Sequence, residues 1–101
     1  MAAYLVAAAK IDNFSEGMKQ YVQRSEELAH KAGGQYIVRG PGEKIYEGDF
    51  LAGRYMIVSK FPTMDALKSF VESDEYQNEV KPLRAGTGVY DIGAWEETDK
   101  P

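Results

Sequence analysis

The sequence predicts an α+β domain with a four-stranded antiparallel sheet and the order βαββαβ. Three patterns point there: first and last segments that are apolar on both alternating faces, two segments with apolar residues at helical spacing, and between those a pair of strand-like runs in register, Gly33 to Gly40 and Arg54 to Phe61.

Tyr4 to Ile11 alternates without a polar face, as a strand does when both sides of its sheet are covered. Asn13 is the expected helix cap, with Glu16 three residues on in a capping-box arrangement. Phe14, Met18, Tyr21, Val22, Leu28 and Ala29 then form one helical stripe, and Gly33-Gly34 ends the helix. The hairpin runs follow, broken by Pro41-Gly42 and Glu47-Gly48-Asp49. Pro62-Thr63 leads into a second helix whose Met64, Leu67, Phe70 and Val71 repeat at helical spacing. Ser73 starts a further helical piece, lined by Tyr76, Val80 and Leu83 and limited by Pro82. The last strand, Thr87 to Glu96, carries Val89, Gly93 and Trp95 on one face and Tyr90, Ile92 and Ala94 on the other. This order is the ferredoxin-like split βαβ pattern. Residues 1–96 therefore form a single domain and residues 97–101 a flexible, solvated tail.

Two helices cover one face of a four-stranded sheet, yet these strands are apolar on both. A second copy of the chain, packed sheet to sheet about a two-fold axis, is the expected cover. With 101 residues, one domain is all the chain can build, and at this size the buried fraction of surface is modest. A net charge of -4 and scattered basic residues exclude a nucleic-acid backbone as the main partner. Cysteine is absent, which removes disulfides, a thiol nucleophile and thiolate metal sites, and fits a reducing cytoplasm. The Ala-rich run after Met1 has no basic leader, and no segment approaches the roughly 20 apolar residues of a membrane span, so a soluble, cytoplasmic protein with no membrane partner is expected.

Taken in order, Tyr4-Leu5-Val6, Gly33-Gly34 with Val38-Arg39-Gly40, Glu47-Gly48-Asp49, Arg54, Phe61-Pro62, Ser73-Asp74-Glu75-Tyr76-Gln77 and Leu83-Arg84 resemble the uncharacterised bacterial family known as domain of unknown function 1330. That family is similar to the dimeric α+β barrel proteins, which include cofactor-free monooxygenases, haem-degrading monooxygenases and muconolactone isomerase. The resemblance covers nearly the whole chain and implies the fold and a homodimer. A reaction does not follow from it, because the fold hosts many sites.

The chemistry-bearing candidates are few. Arg39, on the same alternating face as Gln35 and Ile37, and Arg54, opening the neighbouring strand, could converge on a carboxylate. The structural alternative is that each pairs with Glu47, Asp49 or Asp91, and Arg39 would meet Asp91 most easily across a dimer. Tyr76, Gln77 and Arg84 follow the second helix and read either as a cleft wall or as packing at the sheet edge. Tyr76 and Asp49 are the proton-transfer candidates, while Arg39, Arg54 and Arg84 would bind the ligand. His30, the sole histidine, sits where it caps a helix end. Gly40-Pro41-Gly42 is a turn and no phosphate loop. No metal, haem or nucleotide cofactor is expected. The function expected from these residues is a small cofactor-free enzyme acting on an organic acid or aromatic metabolite between sheet and helices; the alternative is a non-catalytic dimer that binds a small ligand or serves a structural role.

Overall fold

The computed structural model describes residues 1–99. Four strands, β1 (Ala3–Ile11), β2 (Gln35–Pro41), β3 (Tyr55–Phe61) and β4 (Gly88–Glu96), form one antiparallel sheet in the order β2-β3-β1-β4. Two α-helices, α1 (Glu16–Lys31) and α2 (Met64–Val71), pack on it, followed by a π turn (Tyr76–Val80) and a 3-10 turn (Lys81–Arg84). This is the ferredoxin-like arrangement. Its Cα extents of 37 × 37 × 15 Å are those of one sheet and one helical layer, so the other face of the sheet is uncovered within the chain.

Helix α1 starts later than the sequence suggests. Its cap is Ser15, whose Oγ accepts from the Met18 N–H at 3.1 Å, and not Asn13. The backbone N–H groups of Asp12 and Asn13 both go to the Thr87 carbonyl, which ties the end of β1 to the start of β4 and leaves the helix to begin beyond them. Phe14 consequently stands outside the helix and is 57% exposed. At the other end Gly33 takes a positive φ of 86°, and Gly34 lies so close to Phe61 that a Cβ would come within 2.5 Å of its ring. Thr63 caps α2, accepting from the Ala66 N–H at 3.1 Å.

The packed core occupies one end of the space between the layers. Ala3 and Phe61 from the sheet meet Leu67 and Phe70 of α2 together with Tyr76 and Val80 of the π turn. Phe70 stacks on Phe61 at 5.8 Å and leans on Tyr76 at 5.0 Å. The tail begins with a residue held at two points: the Glu97 N–H donates to the Ala2 carbonyl, and its carboxylate accepts from the Ala2 N–H. Lys100 and Pro101 lie outside the described residues.

Candidate functional site

Beside the core, the two layers separate around a cavity of about 440 Å³. Its floor is the helix-side face of the sheet, where β1 presents Ala7 and Ala9. Two alanines at the centre of a sheet leave a hollow that leucine or valine would fill. Its roof is α1, whose Met18, Tyr21, Val22 and Ser25 fall on one helical face. Phe70, Tyr76 and Arg84 wall one side, and Tyr90 and Ile92 of β4 another. A volume in this range suits a small organic ligand.

Hydroxyl and guanidinium groups provide the polarity. The Tyr21 and Tyr76 hydroxyls hydrogen-bond to each other at 2.8 Å, with their rings edge to face at 6.3 Å. Burial raises the Tyr21 pKa well above the ordinary phenol value, and Tyr76 adds to the shift, so Tyr21 stays neutral and serves as a hydrogen-bond donor or acceptor. Tyr36 is raised too, again chiefly by burial. The Tyr90 hydroxyl is held against Thr87 at 2.6 Å and donates to the Met18 sulfur at 3.5 Å. The Arg84 guanidinium lies over the Tyr90 ring at 4.1 Å and near the Tyr21 ring at 5.3 Å. Its Nε is buried and has no hydrogen-bond partner among the described residues.

The two hairpin arginines do not converge. A bulge between Tyr36 and Val38 interrupts the pairing of β2 with β3. Beyond it Arg39 shares the helix-side face with Tyr36 and not the face of Gln35, and both line the cavity. Arg39 lies over the Tyr36 ring at 4.7 Å and pairs with Glu26 of α1 at 3.2 Å, a partner the sequence did not suggest. Arg54 belongs to the opposite, uncovered face. Its Nη1 meets Asp91 at 3.1 Å and reaches the Ala8 carbonyl, its Nε donates to the Phe50 carbonyl at 2.9 Å, and its guanidinium lies 4.0 Å over the Phe50 ring. Asp91 thus has its arginine within the same chain. Asp49 is exposed in the loop between β2 and β3 and does not line the cavity. Of the named candidates, Arg39, Tyr76 and Arg84 share the cavity, with Gln77 beside them.

Tyr21, Tyr36 and Tyr90 complete the site, and sequence reasoning did not single them out. The available signal was in α1, where Tyr21 and Ser25 put hydroxyls into an otherwise apolar stripe. Among the described residues no group of three or more His, Cys, Asp or Glu could hold a metal ion. Among the same residues no helix is long and apolar enough to cross a membrane.

A ferredoxin-like sheet-and-helix layer enclosing a tyrosine- and arginine-lined cavity defines a small α+β protein with an internal ligand-sized site. The chain belongs to the family described as domain of unknown function (DUF1330), whose model matches residues 2–97. No curated protein matches it. Among solved structures it is similar to a protein of unknown function from Rhodopseudomonas palustris, with a TM-score of 0.76 and 14% identity over 99% of this chain and 84% of that one. It is also similar to SnoaB, a cofactor-independent oxygenase from Streptomyces nogalater, with a TM-score of 0.63 and 10% identity over 98% and 95% of the two chains. A third is a dimeric protein of unknown function with a ferredoxin-like fold from Bacteroides fragilis, with a TM-score of 0.56, 14% identity and 95% and 96% coverage. At these identities the likeness is one of fold.

Proposed function

We propose that this protein is a small cofactor-free enzyme that takes an organic acid or aromatic metabolite into the cavity between sheet and helices, and that it works as a homodimer joined through the uncovered sheet face. The observation that carries this reading is the cavity itself: about 440 Å³, with largely apolar walls and a few hydroxyl and guanidinium groups among them. The fold shared with a cofactor-independent oxygenase raises the standing of an enzyme and goes no further.

Tyr76 is the proton-transfer candidate that lies at this site, in contact with Tyr21. Asp49 has no part in the reading, because a proton-transfer group must reach the bound ligand. One feature favours the second reading, a non-catalytic ligand-binding dimer: neither a carboxylate nor an imidazole lines the cavity to act as base at neutral pH. The two are separated by native mass spectrometry of the purified protein followed by turnover of whatever ligand is retained. Conversion of that ligand by wild type, with Tyr76→Phe still binding but at least about a hundredfold slower, a loss at the low end for a proton-transfer group, supports the enzyme. Retention without conversion supports the binding protein. Absence of any retained or added small-molecule ligand removes the cavity from both.

A further inference from the structure

We infer that the cavity selects a planar ring carrying one anionic oxygen group, and that this group docks on the Arg84 guanidinium beside the Tyr21–Tyr76 hydroxyl pair. The inference rests on the cavity reading above and narrows it to ligands that are both flat and singly charged.

Charge balance supplies the first ground. No aspartate or glutamate lines the cavity, while three cations do: Arg39, Lys81 and Arg84. Arg39 is already neutralised by Glu26. Lys81 is exposed at the mouth, where water solvates its ammonium. Arg84 is different. It is only partly exposed, it has no ion pair among the described residues, and its Nε–H is buried without a partner. A guanidinium held this way carries a desolvation cost that the flanking Tyr21 and Tyr90 rings offset in part. Nε is out of a ligand's reach, and the terminal nitrogens are the accessible donors: a carboxylate or enolate oxygen pair meeting both terminal N–H groups is the bidentate arrangement that compensates the charge. One uncompensated interior charge calls for one anionic group.

The hydroxyl pair supplies the second. Two phenols carry two O–H hydrogens, and their mutual bond uses one. Neither hydroxyl has another hydrogen-bond partner among the described residues, so the pair has one donor left to give. The raised Tyr21 pKa keeps that hydrogen in place at neutral pH. The site therefore offers donors and no carboxylate, which suits a ligand rich in acceptors and rejects one that must donate to an acid. Flatness follows from the walls: Ile57 and Ile92 from the sheet face Val22 and Tyr21 from α1, two apolar surfaces between which a ring lies.

The test is calorimetric titration at neutral pH with three probes on one ring system: 2-naphthoate, 2-naphthamide and methyl 2-naphthyl ketone. Wild type is expected to bind the naphthoate at least about tenfold more tightly than either neutral probe, as a charge-assisted bidentate pair implies. Arg84→Gln is expected to abolish that preference while leaving the affinity for the neutral probes within about twofold, because their ring contacts are unchanged. Arg84→Lys keeps the charge without the planar fork and is expected to fall between the two; it decides the matter if the glutamine variant does not fold. Equal binding of naphthoate and its neutral partners by wild type overturns the anion assignment and leaves the cavity reading intact. A preference that survives in both Arg84 variants overturns the role of this residue. Failure of all three probes to bind at millimolar concentration overturns both.

Discussion

Tyr21 and Tyr76 sit on different elements, 55 positions apart in sequence, and among the described residues each hydroxyl has the other as its one hydrogen-bond partner. Truncating one leaves the other's oxygen stranded; truncating both removes the problem along with the bond. Tyr21→Phe is accordingly expected to cost ~1 to 3 kcal/mol, and the double change to Phe no more than the single one, as read by urea unfolding. The same pair has a signature at alkaline pH. Tyr21 has its pKa raised in the folded state above the unfolded value near 10, so its contribution is complete below about pH 10 and is lost as pH climbs toward the folded value. Wild type should lose thermal stability above about pH 10 more steeply than Tyr21→Phe. Tyr21 could be seen in the sequence as one member of a helical stripe. Its partnership with Tyr76 could not, because no local pattern encodes which residue of a later turn comes to rest against a helix.

At the scale of elements, most of the order and extent of strands and helices was legible, since each rests on a local period: β1 and β4 on two-sided apolar alternation, α1 and α2 on helical stripes. The exceptions have a common cause in contacts between distant segments. The cap of α1 moved from Asn13 to Ser15 because the Thr87 carbonyl claims the Asn13 N–H. Arg39 turned into the cavity because of the bulge at Ile37, which no residue type in Gln35 to Arg39 announces. Arg54 and Asp91 became partners because β3 and β4 both flank β1, so residues on one face of these strands come together over Ala8. Gly17 makes the conflict between local preference and tertiary contact measurable. In an exposed helix interior, replacing glycine by alanine gains roughly 0.5 to 1 kcal/mol. Here an added Cβ would fall 2.5 Å from the Leu83 carbonyl oxygen, in the turn that carries Arg84. Gly17→Ala should therefore destabilise, by ~1 to 3 kcal/mol, against the sign that helix propensity gives. A rise in the thermal midpoint would show that the turn yields to the helix.

At the scale of the molecule, the uncovered face of the sheet is the main unbalanced feature. Val38, Val89 and Trp95 stand 50%, 56% and 60% exposed there, alongside Met56 and Val58. On the proposed assembly, in which a second copy covers this face, light scattering at micromolar concentration is expected to give the mass of two chains, with a thermal midpoint that rises with protein concentration. A well-folded monomer under those conditions would contradict it. The apolar character of this face was legible in the strands' two-sided alternation, and the Arg54–Asp91 pair set within it was one of the pairings the sequence left open.

The bulge in β2 has a further consequence, for the two outer margins of the sheet. On one margin, β2 is kinked at Ile37 and finishes in Pro41, which has no N–H to offer an incoming strand. On the other, β4 pairs with β1 without interruption from Gly88 to Glu96, and its outward row of N–H and C=O groups is neither bent nor broken by proline. Strand addition, whether by a foreign peptide or by a misassembled copy under destabilising conditions, is therefore directional. It is expected to template on β4 and to stop at β2, so a lysine or proline placed in the outer register of β4 is expected to suppress it, as read by aggregation under mild destabilisation.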